Sequence, residues 1–223
     1  MQPIFSIAID GPAGAGKSTI ARKLAERLGA IYLDTGAMYR TVALYMHDSD
    51  IQGPESIAHA VNDPKIEVQF QNGEQHMLLN GVDVNERLRS PEASMMASRV
   101  SAVPAVRERL VALQREIAAG HAVVMDGRDI GTKVLPNATL KVYLTASCEV
   151  RADRRFAELK AGNPTLTREQ VLADIVERDY NDAHREASPL CQASDAVRID
   201  TSNMNQDQVV AAIIDLLLKA LRA

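Results

Sequence analysis

Residues 11–18 read Gly-Pro-Ala-Gly-Ala-Gly-Lys-Ser, which fits the spacing G-x-x-x-x-G-K-[ST] with Gly11, Gly16, Lys17 and Ser18 at its fixed positions. That spacing suits one kind of chemistry. Glycines let the backbone curl tightly enough for its N–H groups, with those of a following helix N-terminus, to surround a polyphosphate. Lys17 then reaches the β- and γ-phosphates, and the Ser18 hydroxyl takes one position on Mg²⁺. A Gly-rich turn that merely caps a helix is the plain alternative. The short apolar run Ile4–Ile9 before the loop and the helical pattern from Lys17 favour the phosphate reading.

Three further clusters can serve a second ligand. Asp34–Thr35–Gly36–Ala37–Met38–Tyr39–Arg40 follows an apolar run, so Asp34 can serve a metal-bound water and Arg40 can meet an acceptor phosphate. Asp34 or Thr35 as a helix cap is the alternative. Asp126–Gly127–Arg128–Asp129 ends the apolar stretch Ala122–Met125. There Arg128 can clamp phosphate while Asp129 accepts from a base amino group; a tight turn held by local pairing explains the same residues. Arg151, Arg154 and Arg155 fall at i, i+3, i+4, and Arg178, Asp182 and Arg185 at i, i+4, i+7. Residues 151–188 hold seven basic and eight acidic side chains, so they read either as a helix pair laced with surface ion pairs or as a lid over the phosphates.

The elements that must position these residues follow from periodicity. Ile4–Ile9, Ile31–Leu33, Ala122–Met125, Leu140–Leu144 and Ala196–Ile199 are short apolar runs that suit buried strands. Helical patterns cover 17–28, 37–47, 104–119, 147–161, 167–184 and 205–222. This alternation predicts a parallel sheet covered by helices on both faces, with ligands at the carboxyl edge of the strands. Between 60 and 90, Asn72–Gly73 and Asn80–Gly81 separate short alternating runs, which predicts a small antiparallel insert. The expected division is a core of 1–59, 91–150 and 189–223, a β-rich insert at 60–90 and a helical lid at 151–188.

Composition narrows the classes. The chain has 223 residues with a net charge of −4, which disfavours a dedicated nucleic-acid or anionic-membrane binder. The absence of Trp and the presence of only three Phe disfavour stacking on bases. Arg outnumbers Lys, 18 to 7, as suits paired contacts to phosphate oxygens and also a GC-rich genome. Two distant cysteines argue against a disulfide framework or a zinc site. With no leader-like N-terminus, a cytoplasmic protein is expected, and with no evident apolar seam, a monomer.

Together, the loop 11–19, Asp34–Arg40, Asp126–Gly127–Arg128–Asp129–Ile130–Gly131–Thr132 and the stretch Glu177–Arg185 resemble the bacterial cytidylate kinases, and the likeness runs from about residue 4 to 220. The resemblance implies a P-loop NTPase-type α/β fold and transfer of the γ-phosphoryl group of ATP to CMP or dCMP with Mg²⁺. It implies ATP binding by Gly11, Pro12, Ala13, Gly14, Ala15, Gly16, Lys17, Ser18 and Thr19, with Ser18 on the metal. It places Asp34, Thr35 and Arg40 at the acceptor. Ser98, Arg107 and Asp129 then read cytosine, Arg178 and Asp182 contact the sugar, and Arg40, Arg128 and Arg185 surround the acceptor phosphate. Lys17, Arg128, Arg178 and Arg185 carry the catalytic charge.

This chemistry is self-consistent. A phosphate monoester has a second pKa of about 6, so it reaches the enzyme largely dianionic and no general base is required. Catalysis reduces to aligning two polyanions, neutralising the migrating charge and excluding water. Asp129 can accept from the amino group of cytosine, whereas uracil offers a carbonyl there. The mismatch costs about 1–3 kcal/mol, a preference of roughly tenfold or more. A kinase of UMP, AMP or a small acid such as shikimate is the nearest rival, followed by a non-catalytic ATP-dependent switch.

Overall fold

Ile7, Ala8 and Ile9 carry no polar side chain, and they form the centre of β1 (Ser6–Asp10), fully buried on both faces. The computed structural model describes residues 4–222, and at 89, 91, 92 and 94 the backbone alone. β1 is flanked by β6 (Val123–Gly127) and β7 (Leu140–Thr145), with β2 (Ile31–Asp34) and β8 (Val197–Asp200) at the edges, in the order β2-β6-β1-β7-β8. Every pairing is parallel. Alternation along the strands assigns the two faces. Ile7, Ile9 and Val124 pack with α1 (Lys17–Leu28) and α8 (Gln206–Ala220). Ala8, Val123 and Met125 pack with α2 (Thr35–Asp48) and α5 (Pro104–Ala118). The layered parallel sheet expected from the alternation is therefore present.

The expected insert is a separate antiparallel sheet of β3 (Ile66–Gln71), β4 (Glu74–Leu79) and β5 (Val82–Asp83). Both of its turns place an Asn and a Gly at positive φ, 53° and 81° at Asn72–Gly73 and 52° and 81° at Asn80–Gly81, which matches the twist of the strands they join. Ile66, Met77, Leu79 and Val84 bury in the same cluster as Met38, Val42 and Met46 of α2, so the small sheet leans on the main core.

The apolar pattern gives no sign of two further helices, α3 (Pro54–Ala60) and α4 (Pro91–Ser101). Each opens with proline at its first position. The Ser90 side chain caps α4 by accepting from Ala93 N at 3.1 Å, a Ser–Pro start visible in the chain itself. α4 packs along α2, so it forms one wall of the cleft described below. α6 (Cys148–Leu159) and α7 (Arg168–His184) pair through Ala152, Val171 and Ile175, with α7 opened by a Thr167–Gln170 capping box.

Candidate active site

Three acids end neighbouring strands, and the register brings them together: Asp34 lies opposite Asp126, and Asp10 opposite Gly127. The 11–16 loop leaves β1 at this edge and enters α1 through Gly16, which is left-handed at φ 83°. Gly11, at φ 146°, must be glycine because a Cβ there would lie 2.0 Å from the Leu144 carbonyl oxygen. A cleft of about 1000 Å³ runs from this loop to α4, α5 and α7.

On the loop side, Lys17 is buried and its Nζ donates to the Pro12 carbonyl at 2.8 Å. Burial, then the nearby Arg128 charge, push its pKa down to about 7. The Ser18 hydroxyl donates to Asp126 Oδ2 at 2.7 Å, and the Tyr32 hydroxyl donates to Asp126 Oδ1 at 2.9 Å. Burial, then Asp34, hold the Asp126 carboxyl above its ordinary range. Beneath the loop, Asp10 accepts from Ile130 N at 2.8 Å and Gly131 N at 2.7 Å, clamping the turn that follows Asp129. Burial pushes its pKa up to about 6 against those two N–H groups.

The opposite wall is built from ion pairs. Arg128 Nε donates to Asp182 Oδ2 at 2.7 Å, and Arg185 lies 3.7 Å from the other oxygen of Asp182. Burial works to raise the Asp182 pKa, but Arg128, with Arg185 and Arg178, holds it below its ordinary value. Arg107 pairs with Asp129 in a buried contact and lies 5.4 Å from the centre of the Tyr39 ring. Burial, then the neighbouring Arg128, lower the pKa of Arg178. Ser98 lies exposed on α4 and lines the same cleft.

The cleft thus gathers residues 13–19 with Asp34, Thr35, Arg40, Ser98, Arg107, Arg128, Asp129, Arg178, Asp182 and Arg185. Gly11 and Pro12 stand behind it, shaping the loop rather than lining the cavity. Asp34 proves to be the cap of α2, accepting from Ala37 N at 2.8 Å, while its second oxygen takes Arg40 at 3.0 Å. The cap alternative is met by the first oxygen, while the second pairs with Arg40, which is not left as the solvated charge that alternative supposed. Thr35 is buried and its hydroxyl donates to the Asp126 carbonyl at 2.7 Å, tying β2 to β6.

The Arg trio of α6 divides three ways. Arg151 is buried against the loop, Arg154 donates to the hydroxyl and carbonyl oxygens of Thr201 at 3.0 and 2.7 Å at the rim of the cleft, and Arg155 lines the cleft beside it. The first turns of α6 are therefore fastened to the main body, although the whole of 151–188 was expected as lid.

Sequence reasoning names Asp126 within the 126–129 cluster but gives it no role of its own; an apolar strand ending on an acid was its signal. Gln75 had none. Its side-chain amide accepts from Asp34 N at 2.7 Å and donates to Asp34 O at 3.2 Å, joining β4 to the end of β2.

A family model described as cytidylate kinase matches residues 7–219. A cytidylate kinase from Caldicellulosiruptor bescii is 48% identical over 220 residues, covering 98% of this chain and 97% of the relative. One from Lactobacillus gasseri is 46% identical over 218 residues, covering 97% of this chain and 95% of the relative. Among solved structures, an uncharacterized protein from Eubacterium ventriosum shares the fold with a TM-score of 0.53 at 13% identity, covering 97% of this chain and 99% of that one.

Proposed function

Because the chain belongs to the cytidylate kinase family, and so is an ATP-dependent kinase of CMP and dCMP, we propose that its cleft holds ATP·Mg²⁺ on the 11–19 loop and the acceptor between α2, α4, α5 and α7. The observation that supports this division is that one cleft is lined both by Lys17 and the Ser18–Asp126 pair and by four arginines, Arg40, Arg128, Arg178 and Arg185.

A hydroxyl and a carboxylate 2.7 Å apart are hard oxygen donors that suit Mg²⁺, which takes few protein ligands and completes its shell with water and phosphate oxygens. Ser18 and Asp126 would hold it, Ser18 directly and Asp126 from beside it. When bound, the ion offsets charge on the β- and γ-phosphates.

Lys17 gives up the Pro12 carbonyl for phosphate oxygens, and the incoming negative charge favours its protonated form. The acceptor phosphate takes over Arg128 from Asp182, which frees Asp182 for a sugar hydroxyl. Arg40 and Arg185 close on the remaining oxygens, and Arg178 stands between donor and acceptor. Arg107 and Asp129 present a paired edge to cytosine, completed by Ser98. No residue needs to remove a proton, because the dianionic acceptor is already the nucleophile. α7 with the outer part of α6 serves as the lid, residues 60–90 as the acceptor-side insert, and the remainder as the core. The reading takes the enzyme as a cytoplasmic monomer. Among the described residues no helix is long and apolar enough to cross a membrane.

ADP release from Mg·ATP with CMP, dCMP, UMP, AMP, shikimate or no acceptor tests the assignments. Turnover confined to CMP and dCMP is expected. Equal turnover with UMP would remove Ser98, Arg107 and Asp129 as base readers, and ADP release indifferent to every acceptor would remove the acceptor wall altogether.

A further inference from the structure

Arg151 is 4% exposed, an unusual place for a guanidinium on a surface helix. All its nitrogens are spent inside the protein. Nε donates to Ala146 O at 3.0 Å, Nη1 to Ala13 O at 2.9 Å and Nη2 to Cys148 Sγ at 3.1 Å, and Nη2 also lies 2.7 Å from Asp179 Oδ2 in an ion pair. Arg151 is buried and does not line the cleft, which sets it apart from the arginines proposed to grip phosphate.

Its bond to Ala13 has a directional consequence. In a planar trans peptide the C=O and the following N–H point in opposite directions. Holding the Ala13 carbonyl toward α6 therefore turns the Gly14 N–H away from α6, toward the cleft that Gly14 lines. A second observation marks the same contact. A Cβ on Gly14 would come within 3.1 Å of Arg151 Cβ and 3.2 Å of its carbonyl oxygen, at a φ of 73°. Helix α6 is thus seated on the loop at this peptide, and only glycine permits the approach.

We infer that Arg151 is a positioning residue for the phosphoryl donor: it aims the Gly14 amide into the phosphate cradle, from outside the loop motif. Asp179 is its brace. It neutralises the buried guanidinium, and its other oxygen, Oδ1, is buried without a hydrogen-bond partner among the described residues. Asp179 stands beside Arg178 and three residues before Asp182, so one ion pair, buried on its Arg151 side, fastens the donor loop to the helix that carries the acceptor-side charges. The inference rests on the reading of 11–19 as the donor site.

The test must separate aim from stability, since Arg151→Met alone leaves the half-buried Asp179 carboxylate without its counter-charge. Steady-state constants and melting temperatures are measured for Arg151→Met, Arg151→Met/Asp179→Asn, Arg151→Lys and, alongside, Lys17→Met. Losing one aimed hydrogen bond to phosphate is expected to raise KM for ATP about tenfold in both Arg151→Met variants. KM for CMP at saturating ATP should stay within about twofold. The double variant should regain melting temperature without regaining the ATP KM. Lysine keeps the charge but not the fork, so it should not restore ATP binding. An ATP KM near that of the unmodified enzyme in the double variant, or full rescue by lysine, would overturn the inference. Were Lys17→Met also to leave ATP binding and turnover intact, the donor-site reading itself would fall, whereas an effect of Lys17→Met alone removes only the role of Arg151.

Discussion

The two walls of the cleft are made in different ways. On the division proposed above, the donor wall is mostly backbone: a loop bent by glycines, a helix N-terminus and one buried lysine, each fixed by carbonyls or N–H groups nearby. The acceptor wall is mostly long side chains from α2, α5, α7 and the β6 end, already paired as Arg128–Asp182, Arg107–Asp129 and Arg40–Asp34. A backbone cradle is ready before its ligand arrives. A wall of ion pairs is kept soluble in its own counter-charges and must exchange partners to bind. The first arrangement suits a phosphate chain recognised by shape and charge, the second a ligand whose base, sugar and phosphate are read separately.

The sharpest way to break this contrast is Lys17→Met, which removes the one side-chain charge central to the donor wall. It is expected to lower kcat by about 10²–10³-fold, with a smaller change in KM for CMP, measured by coupled ADP release. A kcat within tenfold of the unmodified enzyme would show that backbone alone carries the donor side.

Asp10 tests how far the two walls share a foundation, since it sits under the loop and clamps the turn after Asp129. Its carboxyl is raised from 3.8 to about 6 by burial. A carboxyl with a folded pKa above its unfolded one contributes stability that is whole at low pH and lost as pH rises through the folded value. Asp10→Asn cannot titrate. The stability of the unmodified protein relative to this variant should therefore fall by on the order of 3 kcal/mol between pH 4 and pH 7. Urea denaturation across that interval checks it, and a difference that does not change with pH would contradict it.

On the acceptor wall, Asp129→Asn should reduce the CMP-over-UMP ratio of kcat/KM by about tenfold while leaving KM for ATP unchanged. A variant that kept its full preference would sink the base-reading role. A subtler probe returns to the donor wall: with Lys17 near pKa 7, nucleotide binding at pH 8 should take up a fraction of a proton. Calorimetry in buffers of different ionisation enthalpy reads that uptake directly, and proton release would reverse the argument. At the far end, Arg168 pairs with Asp153 on the exposed outer side of the helix pair. Arg168→Ala should change neither kinetic constant nor the melting temperature, and a clear loss of activity would mean that outer surface pairs also govern the cleft.

The same contrast explains what could be read in advance. The donor loop was legible because its geometry is local: strand, glycine spacing and helix start lie within about 20 consecutive residues. The Asn–Gly turns of the small sheet were legible for the same reason. The acceptor contacts join residues far apart in the chain, 54 positions for Arg128–Asp182 and 41 for Gln75–Asp34, and no local pattern encodes them. Ser98 and Arg107 were reached only through family likeness, and the cleft does gather both. Asp34 and Thr35 were placed at the right edge, but their side chains are occupied in capping α2 and in joining β2 to β6. Periodicity missed α4 because it is short and follows the small sheet, although its Ser–Pro opening was there to see.

The Gln75 amide, which meets both backbone groups of Asp34, makes the small sheet something other than an exchangeable cassette. A 60–90 segment grafted without a glutamine at position 75 would carry over the hairpins and their turns yet leave the end of β2 without its tether, and with it the start of the helix that aims Arg40. Modular engineering of acceptor choice in this scaffold would therefore have to keep a glutamine, or its equivalent, at position 75 of the grafted hairpin.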